Sequence, residues 1–153
     1  MDVKTVQKYK DKKYSALHKT AKKYFHKFIR LRDTDDNGNG FCISSGRYVR
    51  FGTKDCQAGH FYPAGTFKAL EFDENNVHVQ ELSDNYFRHA NLNEYRPKLI
   101  KKIGQHEFNK LVMKAEISKR NMFKEDRFLM IEIIEKYKAK CKELASEKMF
   151  DVK

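Results

Sequence analysis

No stretch of the sequence approaches the roughly 18–20 consecutive apolar residues that a membrane span needs. The N-terminus, Met1-Asp2-Val3-Lys4, lacks the apolar segment of a secretory signal. Cysteine is scarce and odd in number. Cys42, Cys56 and Cys141 lie far apart, which argues against a disulfide framework and fits a reducing cytoplasm. Internal repeats and low-complexity linkers are also lacking, so the 153 residues read as a single domain, 1–153, with a modest core. With 40% hydrophobic and 35% charged residues the chain belongs with globular rather than disordered proteins.

What is present is charge, unevenly spread. The net charge is +11. Residues 1–32 hold 11 Lys/Arg against 2 Asp/Glu, residues 33–95 hold 5 against 10, and residues 96–153 hold 16 against 9. An acidic centre thus lies between two basic arms. Phosphate backbones attract such arms whatever the base sequence, and an acidic centre is where a hard divalent cation could sit. The plainer reading is that lysine-rich helices have solvated faces.

Apolar spacing predicts one long amphipathic helix over residues 3–32, with Leu17, Ala21, Tyr24, Phe25, Phe28 and Ile29 as its stripe and a weaker pattern over the first ten residues. Lys12, Lys13, Lys19, Lys22, Lys23, Lys27 and Arg30 occupy its other faces and are the candidate DNA phosphate contacts. The segment Asp33–Gly40 is a dense turn signal. It superficially resembles a calcium loop, but the position where that loop needs a bidentate Glu is Ser44, so a solvated turn is expected. Phe41-Cys42-Ile43 and Arg47–Phe51 flank Ser44-Ser45-Gly46 as a hairpin, and Val77-His78-Val79 is a short extended run. Helical spacing returns from about Ser83: a stripe of Tyr95, Leu99, Ile100 and Ile103 ends at Gly104, a short helix carries Phe108, Leu111 and Val112, and a final long helix carries Phe128, Ile131, Ile134, Tyr137, Cys141 and Leu144.

Phosphodiester hydrolysis needs a base to take a proton from water, a cation to neutralise charge on phosphate and leaving oxygen, and a scaffold that registers both. A hairpin carrying a histidine, followed by a helix carrying a metal ligand, is a minimal solution. The segment 57–85 holds candidates for each part in Gly59-His60, Asn76-Val77-His78 and Asp84-Asn85. Taken singly, a histidine after glycine is more often structural than catalytic, and Asn75-Asn76 would ordinarily be a turn.

Their order matches a known pattern. Phe28-Ile29-Arg30-Leu31-Arg32-Asp33, Cys42-Ile43-Ser44-Ser45-Gly46, Ala58-Gly59-His60-Phe61 and Phe72–Gln80, followed by Asn91, Tyr95-Arg96, Leu99-Ile100 and Ile103-Gly104, resemble the NinG/Rap recombination endonucleases of lambdoid phages over more than half the chain. The resemblance implies an α+β fold: a ββα-metal (HNH, His-Me finger, endonuclease VII-like) core over 41–104, flanked by a long N-terminal helix (the basic arm, 1–32) and C-terminal helices (105–153). It implies a metal-dependent endonuclease acting on branched or partly single-stranded DNA during phage recombination, in the bacterial host cytoplasm. His60 matches the general base, Asn76 the asparagine that buttresses the loop and orients that histidine, and Asn85 the metal-ligating position. The implied cation is Mg²⁺ or Mn²⁺. Junction-cutting nucleases are often dimers, because two symmetric cuts need two sites, and the long terminal helices could pair two copies as a homodimer.

The chain departs from the pattern in three places. The family's two Cys-x-x-Cys pairs are here Cys42 with Ser45, and Glu81 with Asp84, so no structural zinc is expected. Hydrogen bonds from Ser45 or backbone amides to Glu81 and Asp84 are the candidate substitute. Gln57 stands where the family tends to have Asp, leaving Asp55 and Asp84 as the candidate acidic metal ligands. Glu71 replaces an Arg, which removes one phosphate contact. His78 and His89 are spare donors; a surface or hydrogen-bonded role is favoured for both, and more for His89. Two readings follow: an active nuclease, or a degenerate relative that binds branched DNA without cleaving it. A helical adaptor between proteins would leave the Gly-His and Asn spacing unexplained.

Overall fold

The computed structural model describes residues 1–121 and 123–153. Its elements run α1 (Val3–Lys8), α2 (Tyr14–Arg32), β1 (Asn39–Phe41), β2 (Tyr48–Arg50), β3 (Gln57–His60), a 3₁₀ turn at Lys68–Leu70, β4 (Val77–Gln80), a π-turn at Ser83–Phe87, a 3₁₀ turn at His89–Asn91, then α3 (Leu92–Ile103), α4 (Gln105–Arg120) and α5 (Arg127–Ser146). The architecture is mixed α+β, with two small antiparallel sheets and several helices. Among the described residues no helix is long and apolar enough to cross a membrane.

The single helix expected over 3–32 is broken. Lys10-Asp11-Lys12-Lys13 offers no apolar side chain to bury, and Lys13 is extended (φ −67°, ψ 153°). A break frees backbone carbonyls that must find donors. Arg127, at the start of α5, supplies them, its guanidinium donating to the carbonyls of Lys12, Tyr9 and Lys10. Beyond the break the stripe behaves as its spacing predicts. Leu17, Ala21, Phe25, Phe28, Ile29 and Leu31 are buried, largely against Met130, Ile131, Ile134, Tyr137 and Cys141 of α5. Phe25 and Phe28 meet the Tyr137 ring at 4.8 and 5.1 Å between centroids. The two long terminal helices, α2 and α5, pack on each other within the chain. Phe128, expected in that stripe, is exposed, and α4 runs longer than the short helix its spacing suggested.

The Asp33–Gly40 turn closes on itself. The Asp35 carboxylate accepts from the backbone N–H of Asn37 and Asn39, both at 2.9 Å, and Gly38 takes a left-handed φ of +83°. Asp33 faces inward instead. Its carboxylate accepts from Arg32 (Nε 2.7 Å, Nη2 3.0 Å) and from the Val79 N–H (3.0 Å), and pairs with Lys102 at 3.1 Å. Arg32 also donates to the carbonyls of Glu74 and Val77, both at 2.8 Å. One adjacent pair at the end of α2 thereby holds β4, the segment before it, and α3.

In the second sheet Gln57 pairs with Gln80, Ala58 with Val79, Gly59 with His78 and His60 with Val77. Every residue of β4 is buried. One side meets α2 and α5. Near the other, Phe61, Phe67 and Leu70 join Tyr95, Leu99, Phe108 and Leu111 in a second core cluster. Gly59 is required by a close approach. A Cβ there would lie 1.9 Å from Gln80 Oε1, and Gln80 cannot swing away because its amide nitrogen donates to Ser44 Oγ (2.9 Å) and the Ala90 carbonyl (2.7 Å).

Two stability outcomes follow. Burial alone would raise the Asp33 pKa, but Arg32 and Lys102 hold it at about 2, below its ordinary 3.8. Its contribution is therefore complete above pH 4 and lost as pH falls towards 2, on the order of 2 kcal/mol. The wild type should lose stability over that interval in urea titrations more steeply than Asp33→Asn; parallel curves would rule the clamp out as the source. Gly59→Ala should destabilise by about 1–3 kcal/mol through overpacking. Adding Gln80→Ala should recover part of that loss, and a strictly additive double variant would refute the clash.

Candidate functional site

His60 ends β3, Asn85 lies on the π-turn and His89 on the 3₁₀ turn after it. The three line one cavity of about 420 Å³ whose other walls include Phe61, Pro63 and Leu92. The hairpin and the helical turns after it thus bring together the two residues whose meeting the sequence left open.

The His60 imidazole is oriented by its surroundings. Its Nε2 lies 2.9 Å from the Glu71 carbonyl. A carbonyl only accepts, so Nε2 carries the hydrogen and Nδ1 keeps the lone pair. Burial pushes the His60 pKa down, the Glu71 carbonyl opposes this, and Lys22 lowers it further. The ring is therefore neutral at pH 7. His26, on α2, meets it edge to face at 5.8 Å between centroids. His26 is neutral as well, its pKa lowered to about 3 by burial and then by His60, and its Nε2 is buried without a partner among the described residues.

Asn76 is fully buried. Its Oδ1 accepts from the Tyr62 N–H (2.8 Å), and its Nδ2 donates to the carbonyls of Tyr62 (2.9 Å) and Leu70 (3.0 Å). One amide closes segment 61–76 near both ends. Leu70 precedes the residue whose carbonyl holds His60, so the constraint passes along the backbone to the imidazole. Glu71 adds a tie of its own: its buried carboxylate lies 2.9 Å from His18 Nε2 on α2. The departure from Arg at this position therefore links the loop to the basic helix.

The acidic candidates do not reach the cavity. Asp55 is exposed in the turn before β3. Gln57, where a carboxylate was sought, donates its amide to the Lys54 carbonyl. Asp84 is fully buried and turned to the other side: consecutive side chains on a helical turn diverge by roughly 100°, so Asn85 facing the cavity carries Asp84 away from it. Asp84 accepts from Ser44 Oγ (2.6 Å), Asn91 Nδ2 (3.1 Å), Arg88 (3.3 Å) and Cys42 Sγ (3.7 Å). Burial would raise its pKa, but these partners keep it below the usual carboxylate value. Among the described residues the cavity wall carries no carboxylate.

Cys42, Glu81 and Asp84 present ligand atoms within 4.8 Å of one another. One sulfur and two carboxylates are a poor donor set for structural zinc, which favours thiolate and imidazole. The hydroxyl that clips this knuckle is that of Ser44. Ser45, the expected substitute, instead accepts from the Arg47 N–H at 3.2 Å.

On α2, Lys22, His26 and Arg30 recur every four residues and share the face that includes the His26–His60 contact. Lys19, Lys23 and Lys27 form a second row. Lys12, Lys13, Lys19, Lys22 and Lys23 are exposed, whereas Lys27 and Arg30 are half-buried. Burial lowers the Arg30 pKa.

The two spare histidines take the hydrogen-bonded and the surface place expected of them, one each. His78 is buried, its pKa lowered to about 3 by burial, with Nδ1 3.3 Å from the Tyr95 hydroxyl, which itself donates to the Gly59 carbonyl at 2.9 Å. That is a structural imidazole. His89 is exposed and lines the cavity. No spacing signal in the sequence separates the two.

The family described as Bacteriophage Lambda NinG protein matches residues 2–147. The ninG protein of Enterobacteria phage H19B is 38% identical over 87 residues, 57% of this chain and 40% of that protein. The ninG protein of Escherichia phage lambda is 36% identical over 87 residues, 57% of this chain and 39% of the relative. That of Salmonella phage P22 is 36% identical over 86 residues, 56% and 39% respectively. The alignments span about two fifths of these relatives' length. No solved structure matches. A family match over nearly the whole chain, with these relatives aligned over more than half of it, means that this chain belongs to the NinG family.

Proposed function

We propose that the chain is a metal-dependent DNA endonuclease of the HNH type, with β3, β4 and the helical turns after them as its ββα-metal unit. The observation that carries this reading is the shared cavity of His60 and Asn85, with His60 neutral and its lone pair on Nδ1. An imidazole held by a backbone carbonyl through one nitrogen is poised to accept a proton from water through the other. Asn76 keeps the supporting loop closed. Asn85 would hold the divalent cation through its amide oxygen. When bound, such a cation supplies charge neutralisation at the phosphate and the leaving oxygen. Lys22, whose charge is felt at His60, and the lysine rows of α2 would hold the neighbouring phosphates. Branched or partly single-stranded DNA is the substrate class that the family resemblance implies.

The second reading, binding without cleavage, draws on one observation: among the described residues no carboxylate reaches the cavity. A cleavage assay on branched and linear DNA with Mg²⁺ or Mn²⁺ separates the two.

His60→Ala should reduce single-turnover cleavage on the order of 10²–10⁴-fold while leaving DNA affinity nearly unchanged; equal cleavage would remove His60 as the base. Because the His60 pKa lies below its ordinary 6.5, kcat/KM should hold steady down to that pH. It should then fall about tenfold per unit once the imidazole protonates. A limb centred above 6.5 would contradict the assignment. DNA affinity should drop steeply as salt rises, and Lys22→Ala should reduce the log–log slope by about 0.9. An unchanged slope would place Lys22 away from the phosphates.

A further inference from the structure

We propose that the outer face of the β1–β2 ribbon is a stacking platform for an unpaired stretch of DNA, with Phe41 and Tyr48 taking bases and Arg50 and Lys54 taking phosphates. The choice of DNA rests on the reading above, while the binding test below needs neither a cation nor cleavage.

The ribbon has two faces. Gly40 and Val49 pair across it and are buried, whereas Asn39, Phe41, Tyr48 and Arg50 alternate with them on the outer side. Phe41 and Tyr48 are direct cross-strand partners, yet they stay 67% and 56% exposed. Their rings meet edge to face with centroids 6.4 Å apart, an arrangement that leaves ring surface open to a further aromatic group.

The face is also held still. Asn39 Oδ1 accepts from the Tyr48 hydroxyl at 2.6 Å and from the Arg50 guanidinium at 3.2 Å. Ring and cation are thus set side by side before any ligand arrives, which lowers the ordering cost of binding. The Ile43 N–H donates to the Val79 carbonyl at 2.9 Å, and Ser44 Oγ donates to Asp84 at 2.6 Å. These bonds join the ribbon to β4 and to the turn that carries Asn85 to the cavity.

Charge selects the occupant. Residues 37–54 contain Arg47, Arg50 and Lys54 and no Asp or Glu, although residues 33–95 as a whole hold 10 acidic residues against 5 basic ones. All three cations are exposed. Arg47 has only a long pair with Glu81, at 3.7 Å, and the Arg50 guanidinium bonds only the neutral Asn39 amide among the described residues. Exposed rings beside unneutralised cations suit a polyanion that also offers π-faces. A duplex keeps its base faces within its own stack, so an unpaired strand is the matching form. A second copy of the same basic face would repel this one.

The test measures fluorescence anisotropy in EDTA with a labelled single strand of about 15 nucleotides, the same strand made abasic at its central positions, and the matching duplex. The wild type should bind the intact strand roughly tenfold more tightly than the abasic one. The double variant Phe41→Ala, Tyr48→Ala should lose that difference, keep its duplex affinity and melt near the wild-type temperature, since both rings are exposed. Tyr48→Phe keeps the ring and should retain most of the discrimination. Arg50→Ala should lower the log–log salt slope for the single strand by about 0.7. Equal wild-type affinity for intact and abasic strands, or a double variant that still tells them apart, would overturn the proposal. A wild type that dimerises and a double variant that does not would overturn it too, making the rings a contact between copies. Discrimination by a protein that cuts no DNA would leave the platform standing and defeat the hydrolytic reading; cleavage without discrimination would do the reverse.

Discussion

The Arg32–Asp33 pair at the end of α2 is the constraint on which the rest of the molecule depends. Taking two charges out of water is costly, and the cost is met only when their hydrogen-bonding positions are filled. Here they are filled by other parts of the chain. Asp33 takes the Val79 N–H and Lys102, and Arg32 takes the carbonyls of Glu74 and Val77. The pair thereby fixes where β4 lies against α2. Because β4 pairs with β3 in one register, it also fixes where His60 ends up. The same helix brings His26 against that imidazole and Lys22 close by.

A second constraint lies at the knuckle. This chain has a hydrogen-bonded carboxylate there, at the positions where the resemblance led one to look for cysteine pairs. Asp84 reaches Ser44 from the β1–β2 hairpin and Arg88 and Asn91 from the turn before α3, while Gln80 joins Ser44 to the Ala90 carbonyl. A metal clip would draw on four side chains at one centre. This clip spreads the same task over five residues whose donors and acceptors are complementary. Glu81 stands beside the clip rather than in it, with one carboxylate oxygen lacking a partner among the described residues and Arg47 at 3.7 Å from the other.

Features set by local spacing were legible in the sequence. The stripes of α2 and α5, the β1–β2 hairpin, the stop at Gly104 and the buttressing place of Asn76 all follow from periodicity or from a motif. What was not legible depends on distant partners. The break before Tyr14 is stabilised by Arg127, which no window around residue 10 contains. The inward turn of Asp33 depends on Arg32, Lys102 and Val79 together. Asp84 and Asn85 are neighbours of similar size, and only their phase on the π-turn decides which faces the cavity. His78 and His89 differ in burial alone, which a single sequence does not display.

The knuckle and the cavity are two faces of one short segment. From Asp84 to Asn91 the chain supplies the knuckle with a carboxylate, a guanidinium and an amide, and the cavity with Asn85 and His89. The two faces are therefore tied through the same short stretch of backbone. Neutralising Asp84 would loosen Arg88 and Asn91 together, and the left-handed run of His89, Ala90 and Asn91 would lose what holds it. Such coupling means that the knuckle needs a set of directional hydrogen-bond partners. Apolar replacements would fill the volume but leave the Ser44 hydroxyl and the Gln80 amide with unmet bonds, and the turn free to relax into a conformation that carries His89 away from the cavity.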